Sequence, residues 1–205
     1  TYPADNALTT PLKIKVASAD AEKWITLNAI DNYGWVMPFY LTSPYAQSQC
    51  LYLENEIRKK NIDLIAIKVK YNGRNDSPYT FPTRISMKMT KRTNMKAPDS
   101  GYLGFFDQTD WTKVYDGNIT IQGKGDNKEL KVTFDKPFKY TGGNIIIKFE
   151  TLPGDNTLEG SQHPEWLFDM PKGDARSAKY DGETETIDEN KTFISEYIPF
   201  LMLEY

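Results

Sequence analysis

Residues Tyr102 to Glu150 read YLGFFDQTDWTKVYDGNITIQGKGDNKELKVTFDKPFKYTGGNIIIKFE, and this stretch decides the fold. Four strand-like segments lie between glycine- or proline-marked turns, with no helical period among them. Apolar side chains at Val114, Ile119 and Ile121, and again at Leu130, Val132 and Phe134, alternate with polar ones. A half-buried antiparallel strand needs that alternation, because successive side chains point to opposite faces. Asp116-Gly117 reads as the end of the strand through Tyr115, and Asp126-Asn127 as a glycine-rich hairpin turn between Ile121 and Leu130. Pro137 reads as the stop after Phe134, Gly142-Gly143 as a tight turn, and Asn144 to Phe149 as a run buried on both faces. The predicted class is all-β, an antiparallel β-sandwich.

Outward from this stretch the same signals recur. Leu12 to Val16 and Trp24 to Leu27 read as short strands, Asp31 to Gly34 as a turn, and Trp35 to Leu41 as a strand or loop interrupted by Pro38. Gln49 to Ile57 fits helix or strand. Leu64 to Tyr71 alternates and stops at Asn72-Gly73, and Ile85, Met87 and Met89 mark another strand. Trp166 to Met170, Arg176 to Tyr180 and Tyr197 to Tyr205 supply the last of roughly ten strands. Residues 1–32 read as a lead-in or extra strands, and 33–205 as one domain.

Bulk composition narrows the function classes. A formal charge of −3 gives no global attraction for nucleic acid or an anionic membrane. No apolar run approaches the ~20 residues of a membrane helix. Cys50 is the one cysteine, so no intramolecular disulfide forms, and a buried, inert thiol is expected. The chain starts at Thr1 without a signal sequence, which reads as the mature part of an exported, extracellular or cell-surface protein.

Catalytic chemistry has little to stand on. His163, in Gln162-His163-Pro164, is the lone histidine, no Gly-x-Ser-x-Gly elbow accompanies a serine, and no carboxylate pair stands out by spacing. One His and one Cys do not make a zinc set. Calcium, in a structural role, fits better: Asp31, Asn32, Asn75, Asp76, Asp107 and Asp110 lie at predicted strand ends, where carboxylates and carbonyls could surround an ion. Glycan binding needs exposed rings beside amide or charged groups. Tyr33, Trp35, Tyr71, Arg74, Asn75, Tyr79 and Trp166 are the candidates, with Tyr33, Tyr71 and Tyr79 ranked first because they border turn-rich loops. Lys88 to Lys96 forms a basic run without interleaved aromatics, which reads as a solvated edge strand rather than a nucleic-acid surface.

Six phrases carry a family resemblance: YAQSQCLYLENEI (Tyr45 to Ile57), IDLIAIKVKYNG (Ile62 to Gly73), RISMKMTKRTNM (Arg84 to Met95), DWTKVYDGNITI (Asp110 to Ile121), VTFDKPFKYTGGNIIIKFE (Val132 to Glu150) and RSAKYD (Arg176 to Asp181). Together they resemble a jelly-roll module of secreted and surface proteins of Bacteroidetes, over about residues 33 to 205. The resemblance implies a galactose-binding-like β-sandwich of the kind found in cell-adhesion and hemagglutinin-like proteins and in accessory domains of secreted proteases. The expected function is a non-catalytic adhesion module binding glycan or a host protein. The alternative is a structural spacer of a larger secreted enzyme or surface assembly, with no ligand of its own.

Overall fold

The computed structural model describes residues 23–27, 32–34, 37–96, 107–154, 158–170, 175–188 and 191–205. Almost all of the regular structure is strand: β1 (Trp24–Leu27), β2 (Asn32–Gly34), β3 (Tyr45–Tyr52), β4 (Ile62–Gly73), β5 (Tyr79–Thr90), β6 (Thr112–Ile121), β7 (Gly125–Tyr140), β8 (Asn144–Thr151), β9 (Glu165–Asp169), β10 (Ser177–Gly182), β11 (Phe193–Ser195), β12 (Ile198–Pro199) and β13 (Leu201–Glu204). The one α-helix among the described residues, α1 (Glu54–Ile57), is a single turn following β3, which resolves the ambiguity of Gln49 to Ile57. Leu12 to Val16 lies outside the described residues.

Two antiparallel sheets stack as a sandwich. The first runs β1-β13-β4-β9-β12, with β7 on the other side of β4 and β2 beside β9; the second runs β11-β10-β3-β8-β5-β6. Between them sit the inward residues of alternating strands, including Ile145, Ile147 and Phe149 of β8, Ile85 and Met87 of β5, and Ile67, Val69 and Tyr71 of β4, each at most 1% exposed. Phe39 is the hub of this core, with ring centroids 5.4 Å from Phe81, 5.3 Å from Phe149 and 5.5 Å from Trp166. Burying each such side chain contributes about 1.5–3 kcal/mol.

The run Asn144 to Phe149 is apolar on both faces for a visible reason. The outer face of the second sheet carries its own small core, where Leu51, Ile146, Ala178 and Tyr180 pack with Met95, Trp111 and Ile187. Beside it a polar row crosses the strands: Gln47 opposite Glu150, Glu150 opposite Arg84, and Arg84 opposite Asp116.

Five sequence expectations change. Asp116-Gly117 does not end a strand; β6 runs straight through it, and the Tyr115 ring folds over Gly117, where an added Cβ would lie 3.1 Å from its hydroxyl. Asp126-Asn127 is no hairpin turn, because β6 pairs in one sheet and β7 in the other, and the chain crosses the sandwich between Ile121 and Gly125. Pro137 does not stop β7 either. The register jumps from Leu64↔Phe138 to Ala66↔Thr133, so the proline sits in a bulge on a sheet edge, where its missing N–H breaks no ladder bond. The Lys88 end of β5 is not an edge, since β5 lies between β8 and β6. Asn32 to Gly34 forms strand rather than turn.

Candidate functional site

The structure separates the sequence candidates into three groups. Tyr71 and Trp166 are core residues, 1% and 0% exposed, with ring centroids 5.4 Å apart. Their polar atoms are spent internally: the Tyr71 hydroxyl accepts the Gln122 N–H at 2.8 Å, and the Trp166 indole donates to the Phe39 carbonyl at 2.9 Å. Neither ring is available to a ligand. Tyr71 was misplaced because its turn-rich neighbour Asn72-Gly73 is still strand. Tyr79 lies in β5 and stacks on Phe81 at 5.9 Å. Arg74 binds Glu165 and faces Asp126 at 3.8 Å, so it ties the β4–β5 loop to β9. Asn75 and Asp76 lie in that loop, whose carbonyls come close to Gly123. Trp35 and Asp31 lie outside the described residues.

Among the described residues, the proposed calcium ligands Asp76, Asp107 and Asp110 do not all meet. Asp76 precedes β5 at the end where Tyr79 pairs with Ile121, whereas Asp107 and Asp110 precede β6 at the end where Met87 pairs with Thr112. Asp107 is held by Lys88 at 2.8 Å and accepts the Thr109 N–H at 3.3 Å. Among the described residues, no three His, Cys, Asp or Glu side chains converge as a metal site would require.

Tyr33 is the candidate that the fold does bring to an open surface. One long side of the sandwich is shut, with β6 lying against β7 and the Asp116 N–H donating to Asp135 at 2.9 Å. The opposite side, between β2, β9 and β12 of one sheet and β10 and β11 of the other, holds two adjoining depressions. The first, about 190 Å³, is lined by Tyr33, Gly34, Met37, Phe168 and Tyr197. Phe168 and Tyr197 meet edge to face, centroids 4.7 Å apart. Gly34 permits this wall, because a Cβ there would lie 2.7 Å from the Phe168 ring. The Tyr33 hydroxyl donates to Asn127 at 2.8 Å and so fixes its ring at the rim.

The second depression, about 280 Å³, shares Tyr197 and adds Met170, Lys179, Ile194, Ser195 and Glu196. Lys179 is half-buried, with its ammonium 5.3 Å from the centre of the Tyr40 ring. Among the described residues it has no ion-pair partner, and Glu196 is exposed on the same wall. Phe168, Tyr197, Lys179 and Glu196 were missed by sequence reasoning. Phe168 stands two residues from Trp166, a spacing that puts both on one face, but its neighbour Tyr197 arrives only through pairing of β9 with β12.

Other reactive groups are structural. His163 is 1% exposed; its Nε2 accepts the Leu41 N–H at 2.7 Å, and its Nδ1–H donates to the Pro164 carbonyl at 2.9 Å. Burial holds its pKa below the ordinary 6.5. Since Leu158 N–H also donates to the Leu41 carbonyl at 2.9 Å, the histidine closes a two-bond clasp on the loop that carries Phe39. Cys50 is 0% exposed and burial pushes its thiol up to about 12. Glu150, 4% exposed, lies 3.1 Å from Lys148 and 3.7 Å from Arg84, and the Tyr45 hydroxyl reaches it at 3.1 Å. Burial, then the Glu150 charge, raises the Tyr45 pKa far above the ordinary tyrosine range.

Comparison with known proteins adds no relative: no family model, curated protein or solved structure matches the chain.

Proposed function

We propose that the chain is a non-catalytic binding module that holds glycan in the groove along the open side of the sandwich. One observation carries this reading: the rings of Tyr33, Phe168 and Tyr197 line a cavity of about 190 Å³ that shares its Tyr197 wall with a depression lined by Lys179, Ser195 and Glu196. A sugar ring has an apolar C–H face and a polar circumference. It gains by laying that face on an aromatic ring while its hydroxyls meet donors and acceptors nearby. The non-catalytic part of the reading is supported by the fully engaged imidazole of His163 and the buried thiol of Cys50. The reading calls on no calcium ion: Lys88 holds Asp107, and Asp76 stands at the far end of the strand pair.

In this reading the sandwich is a jelly roll of the galactose-binding kind, secreted or displayed on a cell surface, and it serves adhesion. Many weak contacts on a multivalent surface would then sum to firm attachment. The test is a glycan and host-protein array with the intact chain, followed by titration of Phe168→Ala and Tyr197→Ala. Loss of about tenfold or more in affinity, with melting lowered by no more than about 4 °C, supports the groove. Silence toward every glycan and host protein favours a spacer with no ligand of its own.

A further inference from the structure

We infer that the ligand is a neutral glycan of at least two units, one ring seated among Tyr33, Phe168 and Tyr197 and adjacent hydroxyls of the next unit held between Lys179 and Glu196. This rests on the groove reading above and adds the ligand's length and charge. Volume is the first argument. Each depression, at about 190 and 280 Å³, is smaller than the roughly 300 Å³ at which ligand pockets begin, whereas the two together exceed it. Tyr197 is their common wall, so a ligand filling both must pass over its ring. A single sugar would occupy one depression and leave the other wet.

Chemistry is the second argument. The lysine ammonium only donates hydrogen bonds, and the ionised glutamate only accepts them. Lys179 and Glu196 line one depression without pairing with each other. A hydroxyl both donates and accepts, so two neighbouring hydroxyls satisfy both side chains at once, with charge-assisted bonds on either side.

Charge is the third. One cation and one anion leave the lining neutral, and Asp181, which shares the adjoining crevice with Lys179, tilts the surroundings to acid. A sialylated or sulfated sugar would gain at Lys179 what it loses to Glu196 and Asp181. The site therefore gives acidic glycans no advantage over neutral ones.

Calorimetric titration of the intact chain tests this with glucose, galactose and N-acetylglucosamine, with cellobiose, lactose and N,N′-diacetylchitobiose, and with sialyl and sulfated lactose. The disaccharide of the preferred series binds about tenfold tighter than its monosaccharide, and Lys179→Met or Glu196→Gln removes that gain while leaving the monosaccharide within about twofold. Acidic forms bind no better than lactose. Equal affinity for one unit and two, a loss in either variant that strikes both alike, or a preference for acidic sugars overturns the inference and leaves the groove reading intact. Binding of no sugar at all overturns both. Glu196 is exposed, so its variant remains informative if Lys179→Met unfolds.

Discussion

The two long sides of this sandwich are built from the same kind of strand and end in opposite states. Where β6 meets β7, the chain crosses between sheets over three residues, and a side-chain carboxylate closes the seam by accepting a backbone N–H. Where β9 and β12 face β10 and β11, the strands are two to six residues long, all drawn from residues 165–199, with β2 alone arriving from far upstream. Short strands leave a gap that rings and charged tips fill incompletely. A sandwich thus acquires an open edge by closing one side with a continuous crossover and leaving the other to fragments.

The sharpest way to break this contrast uses two residues on one face of one strand. Trp166→Ala removes a fully buried ring and its bond to Phe39, and should cost about 3–5 kcal/mol in chemical denaturation. A loss below ~1 kcal/mol would mean that the open side lacks a packed floor.

His163 comes next. Its folded pKa is lowered by burial, so the unfolded chain binds a proton more readily, and stability rises with pH across the window below 6.5. Its contribution is complete above pH 6.5 and fades as pH falls. His163→Gln should lower stability by about 1–2 kcal/mol at pH 8 and flatten the slope between pH 6.5 and 5 in denaturation midpoints. An unaltered slope would show that the clasp on Leu41 does not titrate.

Phe168→Ala, two residues beyond Trp166, should cost about 1 kcal/mol in stability while abolishing most glycan affinity. A stability loss equal to that of Trp166→Ala would make the rim part of the floor. The smallest effect belongs to the shut side. Asp135→Ala should cost about 0.5 kcal/mol, read as a slight fall in melting temperature, because the exposed β6 N–H then turns to water.

How far the sequence foretells this molecule depends on the range of the interaction concerned. Alternation along one strand is local, so the segments around Ile67, Met87 and Val132 and the doubly buried run at Ile145 to Ile147 were legible. Strand ends were not, because Pro137 breaks a strand only where both neighbours need its N–H, and it lies on an edge strand here, while Gly117 keeps its N–H and pairs with Thr83 in the ladder. Pairing was less legible still: Gly125 looks like the far side of a hairpin until β4 claims β7. The site suffered most. Tyr33 was singled out because it stands beside a turn signal, but Phe168, Tyr197 and Lys179 look like ordinary strand residues. They become a groove only through the meeting of β2, β9, β10, β11 and β12.

One feature of the first sheet bears on how the protein is made. β13, Leu201–Glu204, is inserted between β1 and β4, joining the earliest described strand to the middle of the sheet. On the ribosome, β3, β5, β6 and β8 can pair as soon as Thr151 has emerged, so the second sheet has its centre long before synthesis finishes. Until residues 201–204 follow, β1 has no described partner and the backbone N–H and C=O groups of β4 from Ala66 to Lys68 lack their β13 partners. The nascent chain therefore offers its neighbours an open strand edge until β13 drops into place.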